Sequence, residues 1–225
     1  MFLIRQVKSI KMRIDLHVHT CASPDSLASP DRVLGWAKRR RMDAIAITDH
    51  NTIVMAREMA YFSYLPIIIG EEVLTRDGEI IGLFLHEPVP MGSSALDTAR
   101  YIHEQGGLVY LPHPYDSLRH SALRGDALQS LMPSVDLVEV FNSRVLKPVD
   151  NRLAQQLADR EHKPYGAGSD AHLSCEIGRA YIDLPSFDGC AGFLSALEKS
   201  RVCGRLASPL VHLGSSLARF TKRRL

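Results

Sequence analysis

Short apolar runs alternate with amphipathic stretches along nearly the whole chain, and this alternation restricts the fold more than any other feature. Runs at 12–18, 43–48, 66–72, 79–85, 108–111, 135–141, 165–169 and 180–184 read as strands. Most are continuously apolar, as strands are when helices cover both faces of a parallel sheet. Amphipathic helices are expected between them at about 29–41, 52–62, 94–105, 149–160 and 191–200. Ser29-Pro30-Asp31 supplies an N-cap followed by proline at the first helical position, and Ser94-Ala95-Leu96-Asp97 reads as a capping box before a stop at Gly106-Gly107. A chain of 225 residues suffices for one domain with a sizeable core. The expected architecture is an α/β fold in which seven or eight strands close, or nearly close, into a barrel. An open doubly wound sheet is the alternative.

Polar residues gather where these strands end. His17 and His19, Asp49 and His50, Glu72, His113, Asn142, Asp170 and His172 all fall at or just past a C-terminal strand end. In a β/α barrel all such ends share one rim, where functional groups collect. On a strand, residues i and i+2 project to the same side. His17-Val18-His19 and Asp170-Ala171-His172 can therefore each aim two donors into one cavity. Imidazole and carboxylate donors together suit divalent zinc, iron or manganese.

The motifs Asp15-Leu16-His17-Val18-His19-Thr20, Ser23-Pro24-Asp25, Ile47-Thr48-Asp49-His50-Asn51, Gly70-Glu71-Glu72, Pro112-His113-Pro114 and Gly168-Ser169-Asp170-Ala171-His172 follow one another in an order that resembles the polymerase and histidinol phosphatase (PHP) superfamily. The likeness is strongest to its short, free-standing members, with Ile81-Gly82-Leu83-Phe84-Leu85 and Glu139-Val140-Phe141-Asn142-Ser143-Arg144 as further marks. It spans roughly residues 12–183. The resemblance implies a distorted seven-stranded TIM-like β/α barrel over residues 12–205, after an N-terminal extension (1–11) and before a basic C-terminal tail (206–225). It implies two or three divalent ions (Zn, Mn or Fe). His17, His19, Glu72 and Asp170 would hold the first, Glu72 and His113 the second, and Asp25, His50 and His172 the third. A further ligand of the second ion falls to Glu79 or His86, or the place is vacant. The implied activity is hydrolysis of a phosphoric ester, on a small phosphorylated molecule or nucleotide, by a metal-activated hydroxide. Hydrolysis of a carbon–nitrogen bond, or a non-catalytic metal-binding regulatory module, are the alternatives.

Asn142 and Arg144 are expected to grip the substrate phosphate, since arginine makes paired hydrogen bonds to phosphate. Asp49 is expected to orient an imidazole. Arg119, His120 and Arg124 read as a solvated polar loop, and His103, His162 and His212 as incidental. The tail, with Arg219, Lys222, Arg223 and Arg224, reads as a solvated helix end. A formal net charge of +2 gives no strong pull toward nucleic acid, and no apolar run is long enough to span a bilayer. The four scattered cysteines suit a reducing, cytoplasmic setting.

Overall fold

A computed structural model describes residues 11–222. The N-terminal extension, apart from Lys11, and Arg223 and Arg224 of the tail lie outside the described residues. The elements in chain order are β1 (Lys11–Val18), α1 (Pro30–Arg40), β2 (Ala44–Ile47), α2 (Val54–Phe62), β3 (Ile67–Leu74), β4 (Glu79–Leu83), α3 (Ala95–Glu104), β5 (Leu108–Leu111), α4 (Gly125–Leu131), β6 (Leu137–Asn142), α5 (Pro148–Arg160), β7 (Tyr165–Gly168), β8 (Ala180–Pro185), α6 (Gly189–Leu197), β9 (Arg201–Gly204) and α7 (Val211–Lys222). Pro30 starts α1, and Ser94 caps α3 by accepting from the Asp97 amide. Both starts follow the sequence signals.

One sheet runs in the order β7-β6-β5-β4-β3-β2-β1-β8-β9. It has nine strands among the described residues, where seven were expected, and it is not wholly parallel. β1, β2 and β3 are mutually parallel, as are β5, β6 and β7. β4 is antiparallel to both of its neighbours, β8 is antiparallel to β1, and β9 to β8. The physical reason lies in the connections. Thr75 to Gly78 turns β3 directly into β4, with the Thr75 amide and hydroxyl both donating to the Gly78 carbonyl, and so short a link permits only an antiparallel pair. β8, expected at 180–184, and β9, which was not expected, extend the sheet from the outer edge of β1. Half-buried and only four residues long, β9 gives no periodic signal.

The curl brings β7 back to β1. The Asp170 amide donates to the His17 carbonyl at 2.8 Å, the His19 amide to the Ala171 carbonyl at 3.0 Å, and the Ser169 amide to Asp15 Oδ1 at 2.8 Å. Only Gly168 permits this approach: a Cβ there would lie 2.2 Å from His17 Cβ. The result is a nearly closed barrel. Ile14, Leu16, Ala44, Ala46, Ile68, Ile81, Leu83, Tyr110 and Leu137 come from six neighbouring strands and form one buried cluster, which marks the interior. β2 shows the alternation that builds it. Ala44 and Ala46 join that cluster, while Ile45 and Ile47 pack outward against Val33, Leu34 and Ala37 of α1 and Ala56 and Met59 of α2. A third cluster seats α3, α4 and α5 on Val109, Leu111 and Val138. Each fully buried Ile or Leu contributes roughly 2 kcal/mol, so this packing fixes the rim on which the polar groups sit.

Candidate metal centre

The rim converges on Glu72. Its strand, β3, sends Glu72 to the barrel mouth and Glu71 the other way, where Glu71 accepts from the Val89 amide. Glu72 Oε2 lies 3.4 Å from His17 Nε2, 3.2 Å from His19 Nε2 and 3.3 Å from His50 Nδ1. Glu72 Oε1 lies 3.0 Å from His113 Nε2. Asp170 Oδ1 is 3.5 Å from His17 Nε2 and 3.4 Å from His19 Nε2. At the outer side, Asp25 Oδ1 faces His172 Nε2 at 3.2 Å and His50 Nε2 at 3.6 Å. The eight residues expected to be ligands thus meet in one place. The structure also brings Glu79 there, with its carboxylate 3.8 Å from His113 Nε2 and 4.0 Å from His50 Nδ1. His86 is exposed and stays outside.

Several observations show that this donor set fits cations. Three ring nitrogens face the single oxygen Glu72 Oε2, and the Nε2 atoms of His17 and His19 stand 3.1 Å apart. Buried Asp25 Oδ1 and His113 Nδ1 have no hydrogen-bond partner among the described residues. Four groupings of described residues place ligand atoms within 4.8 Å of one another: His19/His50/His172, His17/His113/Asp170, His17/His19/Glu72 and His50/Glu72/Glu79. The opposite nitrogens are tied back. His17 Nδ1 meets Glu139 Oε1 at 3.1 Å, His19 Nδ1 meets Ser23 Oγ at 3.0 Å, and His172 Nδ1 meets the Asp170 carbonyl at 2.8 Å. Such outer partners set ring orientation in metal sites. Asp49 serves His19 through a relay: Ser23 Oγ donates to Asp49 Oδ1, and Thr20 holds both Asp49 oxygens. His113 and Asp170 have positive φ, 29° and 53°, a costly backbone state for residues other than glycine. Their amides are pinned, to Glu139 Oε2 and the His17 carbonyl.

The protonation states follow from burial and neighbours. Burial alone would lower both β1 histidines. The carboxylates of Asp170, Glu139 and Glu72 outweigh it and hold His17 well above its ordinary range; those of Asp170 and Glu72 lift His19 to about 9. Burial opposes ionisation of the three acids too, and again loses. His172 and His50 keep Asp25 ionised, His17 and His50 keep Glu72 so, and Arg119 and His17 keep Asp170 so. His172 goes the other way: burial, then the charges of His19 and Arg144, push it down to about 3.

Sequence reasoning missed two participants. Glu139 is wholly buried and serves four partners: His17 Nδ1, the His113 amide, the Tyr110 hydroxyl and Asn142 Nδ2. Arg119, expected in a solvated loop, forms an ion pair with Asp170 and lies 3.8 Å from Glu79. The structure also places the two expected phosphate-gripping residues. Asn142 Nδ2 donates to Glu139 Oε2 at 2.9 Å and to Asp170 Oδ2 at 3.2 Å. Arg144 is buried, with Glu176 at 3.3 Å and Ser215 Oγ at 2.8 Å. Above the cluster opens a cleft of about 520 Å³, walled by Asp116, Arg119, His120, Arg144, His212, Ser215 and Arg219. His212, read as incidental, also meets the Arg144 carbonyl through Nε2 at 3.1 Å. The tail is therefore not a solvated end; it forms one wall of the cleft.

A barrel with a cluster of histidines and acids at its mouth defines the class of protein. The PHP domain family matches residues 15–106, and a family described as PHP-associated matches residues 148–202. The chain belongs to the PHP family. An uncharacterized protein of Methanocaldococcus jannaschii is 39% identical over 156 residues, which are 64% of this chain and 89% of that one. A probable phosphatase of Syntrophotalea carbinolica is 25% identical over 206 residues, 75% of this chain and 84% of that one. Among solved structures, a two-domain protein of Bacteroides vulgatus containing a predicted PHP-like metal-dependent phosphoesterase superposes with a TM-score of 0.71 at 20% identity, over 88% of this chain and 66% of that one. An amidohydrolase of Chromobacterium violaceum with bound sulfate superposes with a TM-score of 0.59 at 18% identity, over 85% and 97%. At these identities the two structures bear on the fold alone. No helix among the described residues is long and apolar enough to cross a membrane.

Proposed function

We propose that this chain is a metal-dependent phosphoesterase acting on a small phosphate ester or nucleotide-type substrate. The observation that carries the reading is the convergence of His17, His19 and His50 on Glu72 Oε2 within 3.2–3.4 Å, beside a cleft with a cationic wall. In this reading His17, His19, Glu72 and Asp170 hold one ion, Glu72 and His113, with Glu79 beside them, a second, and Asp25, His50 and His172 a third. Divalent zinc, manganese or iron supplies Lewis acidity toward phosphoryl oxygens and makes water a stronger acid.

The rest of the chemistry belongs to the chain. Arg119 stands on the cleft wall against Asp170, and its planar fork of N–H donors matches phosphoryl oxygens. Asn142 acts by fixing Asp170 and Glu139, and Arg144 acts on the substrate side by holding the wall of the cleft together. His120 is an imidazole of that wall outside the donor cluster and gives the leaving oxygen its proton, while His212 is tied through Nε2 to the Arg144 carbonyl. The cleft volume falls in the range of small-molecule sites, which favours a compact substrate over a long chain. Carbon–nitrogen hydrolysis is the second reading, since a barrel of the same shape belongs to an amidohydrolase; none of the described strands ends on a lysine.

The test loads chelator-stripped protein with Mn, Zn or Fe and offers p-nitrophenyl phosphate, nucleoside monophosphates, short oligonucleotides and simple amides. Phosphate release that vanishes in His17→Ala and Asp170→Ala is the expected result. Bound metal with amide cleavage alone, or with no turnover, overturns it.

A further inference from the structure

The C-terminal helix α7 touches the metal centre at one atom, and that contact has a chemical meaning. Asp25 presents two oxygens to different surroundings. Oδ1 is buried and faces the ring nitrogens of His172 and His50 with no hydrogen-bond partner among the described residues. Oδ2 accepts from Arg219 Nη2 of α7 at 2.6 Å. One oxygen is therefore aimed at the imidazoles and the other is held from behind. One turn further on, Lys222 Nζ donates to the carbonyls of Cys21 and Ser23, both at 2.6 Å. These are the residues that lead into Asp25, and Ser23 also orients His19.

The docking of α7 makes the contact more than a surface ion pair. Ser215 Oγ accepts from Arg144, His212 meets the Arg144 carbonyl, and Gly214 lies so close to Leu173 that a Cβ would come within 2.8 Å of its side chain. Leu173 follows His172 directly. The helix thus grips the loop carrying Asp25, the segment carrying His172 and the loop after β6. An exposed arginine–carboxylate pair alone is worth little. Here the carboxylate is buried and its partner leaves one coordination mode, through Oδ1.

We propose that Arg219 is a positioning residue for the outermost ion: it fixes Asp25 as a one-oxygen ligand alongside His50 and His172, so that the C-terminal helix is part of the metal centre. The inference rests on the metal-binding reading above. Partners that orient metal ligands in this way change affinity by about 10–100-fold when removed.

Titration of chelator-stripped protein with Mn(II) alone, followed by free-Mn(II) electron paramagnetic resonance and metal analysis, tests this without any assay of turnover. The wild type is expected to bind three ions. Arg219→Ala weakens one of them at least about 10-fold and leaves the others in place, with the melting temperature of the metal-free protein unchanged. Arg219→Lys restores most of the loss, and Lys222→Ala has a smaller effect than Arg219→Ala. Should Arg219→Ala not fold, Arg219→Gln is read in the same way. Equal or tighter binding in the variant overturns the proposal, as does a parallel loss of all ions with a lowered melting temperature. A wild type that binds two ions overturns it and leaves the phosphoesterase reading standing; one that binds none overturns both.

Discussion

Glu139 shows what a single side chain contributes here. It lies at the centre of the barrel with no exposure, and its two oxygens are shared among His17, the His113 amide, Tyr110 and Asn142. It touches two of the residues proposed as ligands, His17 and His113, and, through Asn142, reaches a third, Asp170. Glu139→Gln keeps the shape but replaces one acceptor oxygen with a donor. That amide then opposes the Tyr110 hydroxyl or the His113 amide, and the negative charge that faces His17 is gone. The expected outcome is a folded protein whose affinity for the innermost ions is about 10–100-fold lower, measured by competition with a chromophoric chelator. Unchanged affinity would show that His17 orients itself without this partner. Of the residues proposed as ligands, Asp25, His50, Glu72 and His113 were picked out by the motifs that resemble the PHP superfamily, whereas His17/His19 and Asp170/His172 were legible from their period-two spacing at strand ends. Glu139 was not, because its role depends on contact with His17, 122 positions away. Arg119 was not, because an arginine in a polar loop has the same sequence signature whether it meets water or a buried aspartate.

At the scale of elements, the strands and most helices followed from apolar runs and caps, and the failures share a cause. β9 is four residues long and half exposed, and α7 docks through the polar tips of His212, Ser215, Arg219 and Lys222 with Ala218 its one buried residue, so neither is announced by a buried apolar run. α4 starts at Gly125, in the left-handed region at φ 58°, with no capping side chain. The reversal of β4 follows from the short link between the runs at 66–72 and 79–85; the continuously apolar composition of the runs pointed instead to a parallel sheet. The closure of β7 on β1 is the element-level event on which the site depends, and Gly168 governs it. An added methyl would meet His17 Cβ at 2.2 Å, the His17 amide nitrogen at 2.9 Å and Glu139 Oε1 at 2.7 Å. Backbone cannot yield there without moving His17. Gly168→Ala is therefore expected to destabilise the protein by about 3 kcal/mol or more, the upper end for overpacking, and to lower metal affinity in the same variant. Gly92→Ala is the control for composition: nothing lies within 4 Å of an added Cβ there, although its φ of 77° makes any substitution mildly strained. Urea denaturation of the two variants separates crowding from backbone strain. Equal losses in both would show that the approach of β7 to β1 is not what Gly168 provides.

The whole molecule couples folding, protons and metal through the same buried cluster. In the metal-free protein, His17 and His19 are held above their ordinary value of 6.5, His19 to about 9, because carboxylates outweigh their burial. Each therefore contributes stability that is fully present below about pH 6.5 and is lost as pH rises through its raised value, which for His19 is about 9. For His19 alone this is on the order of 3 kcal/mol. His172 acts on the acid side. Its value near 3 means that it stays neutral in the fold while the unfolded chain takes up a proton below 6.5, so stability falls as pH drops from there. Asp25, Glu72 and Asp170, held below the usual carboxylate range, add to the loss in acid. Asp15 and Glu71, pushed up by burial to about 6 and about 7, remove stability as pH rises, so the metal-free protein should be most stable on the acid side of neutrality. Metal ligation requires neutral imidazoles and so displaces the protons of His17 and His19. The melting-temperature gain on adding Mn(II) should accordingly grow from pH 6.5 to 9, and binding at pH 7.5 should release about two protons per chain. Calorimetric titration in MOPS and in Tris, whose ionisation enthalpies differ, counts those protons directly. A binding enthalpy that does not depend on the buffer would show that the two β1 histidines are already neutral before metal arrives, and that their carboxylate neighbours serve the ions and not the protons.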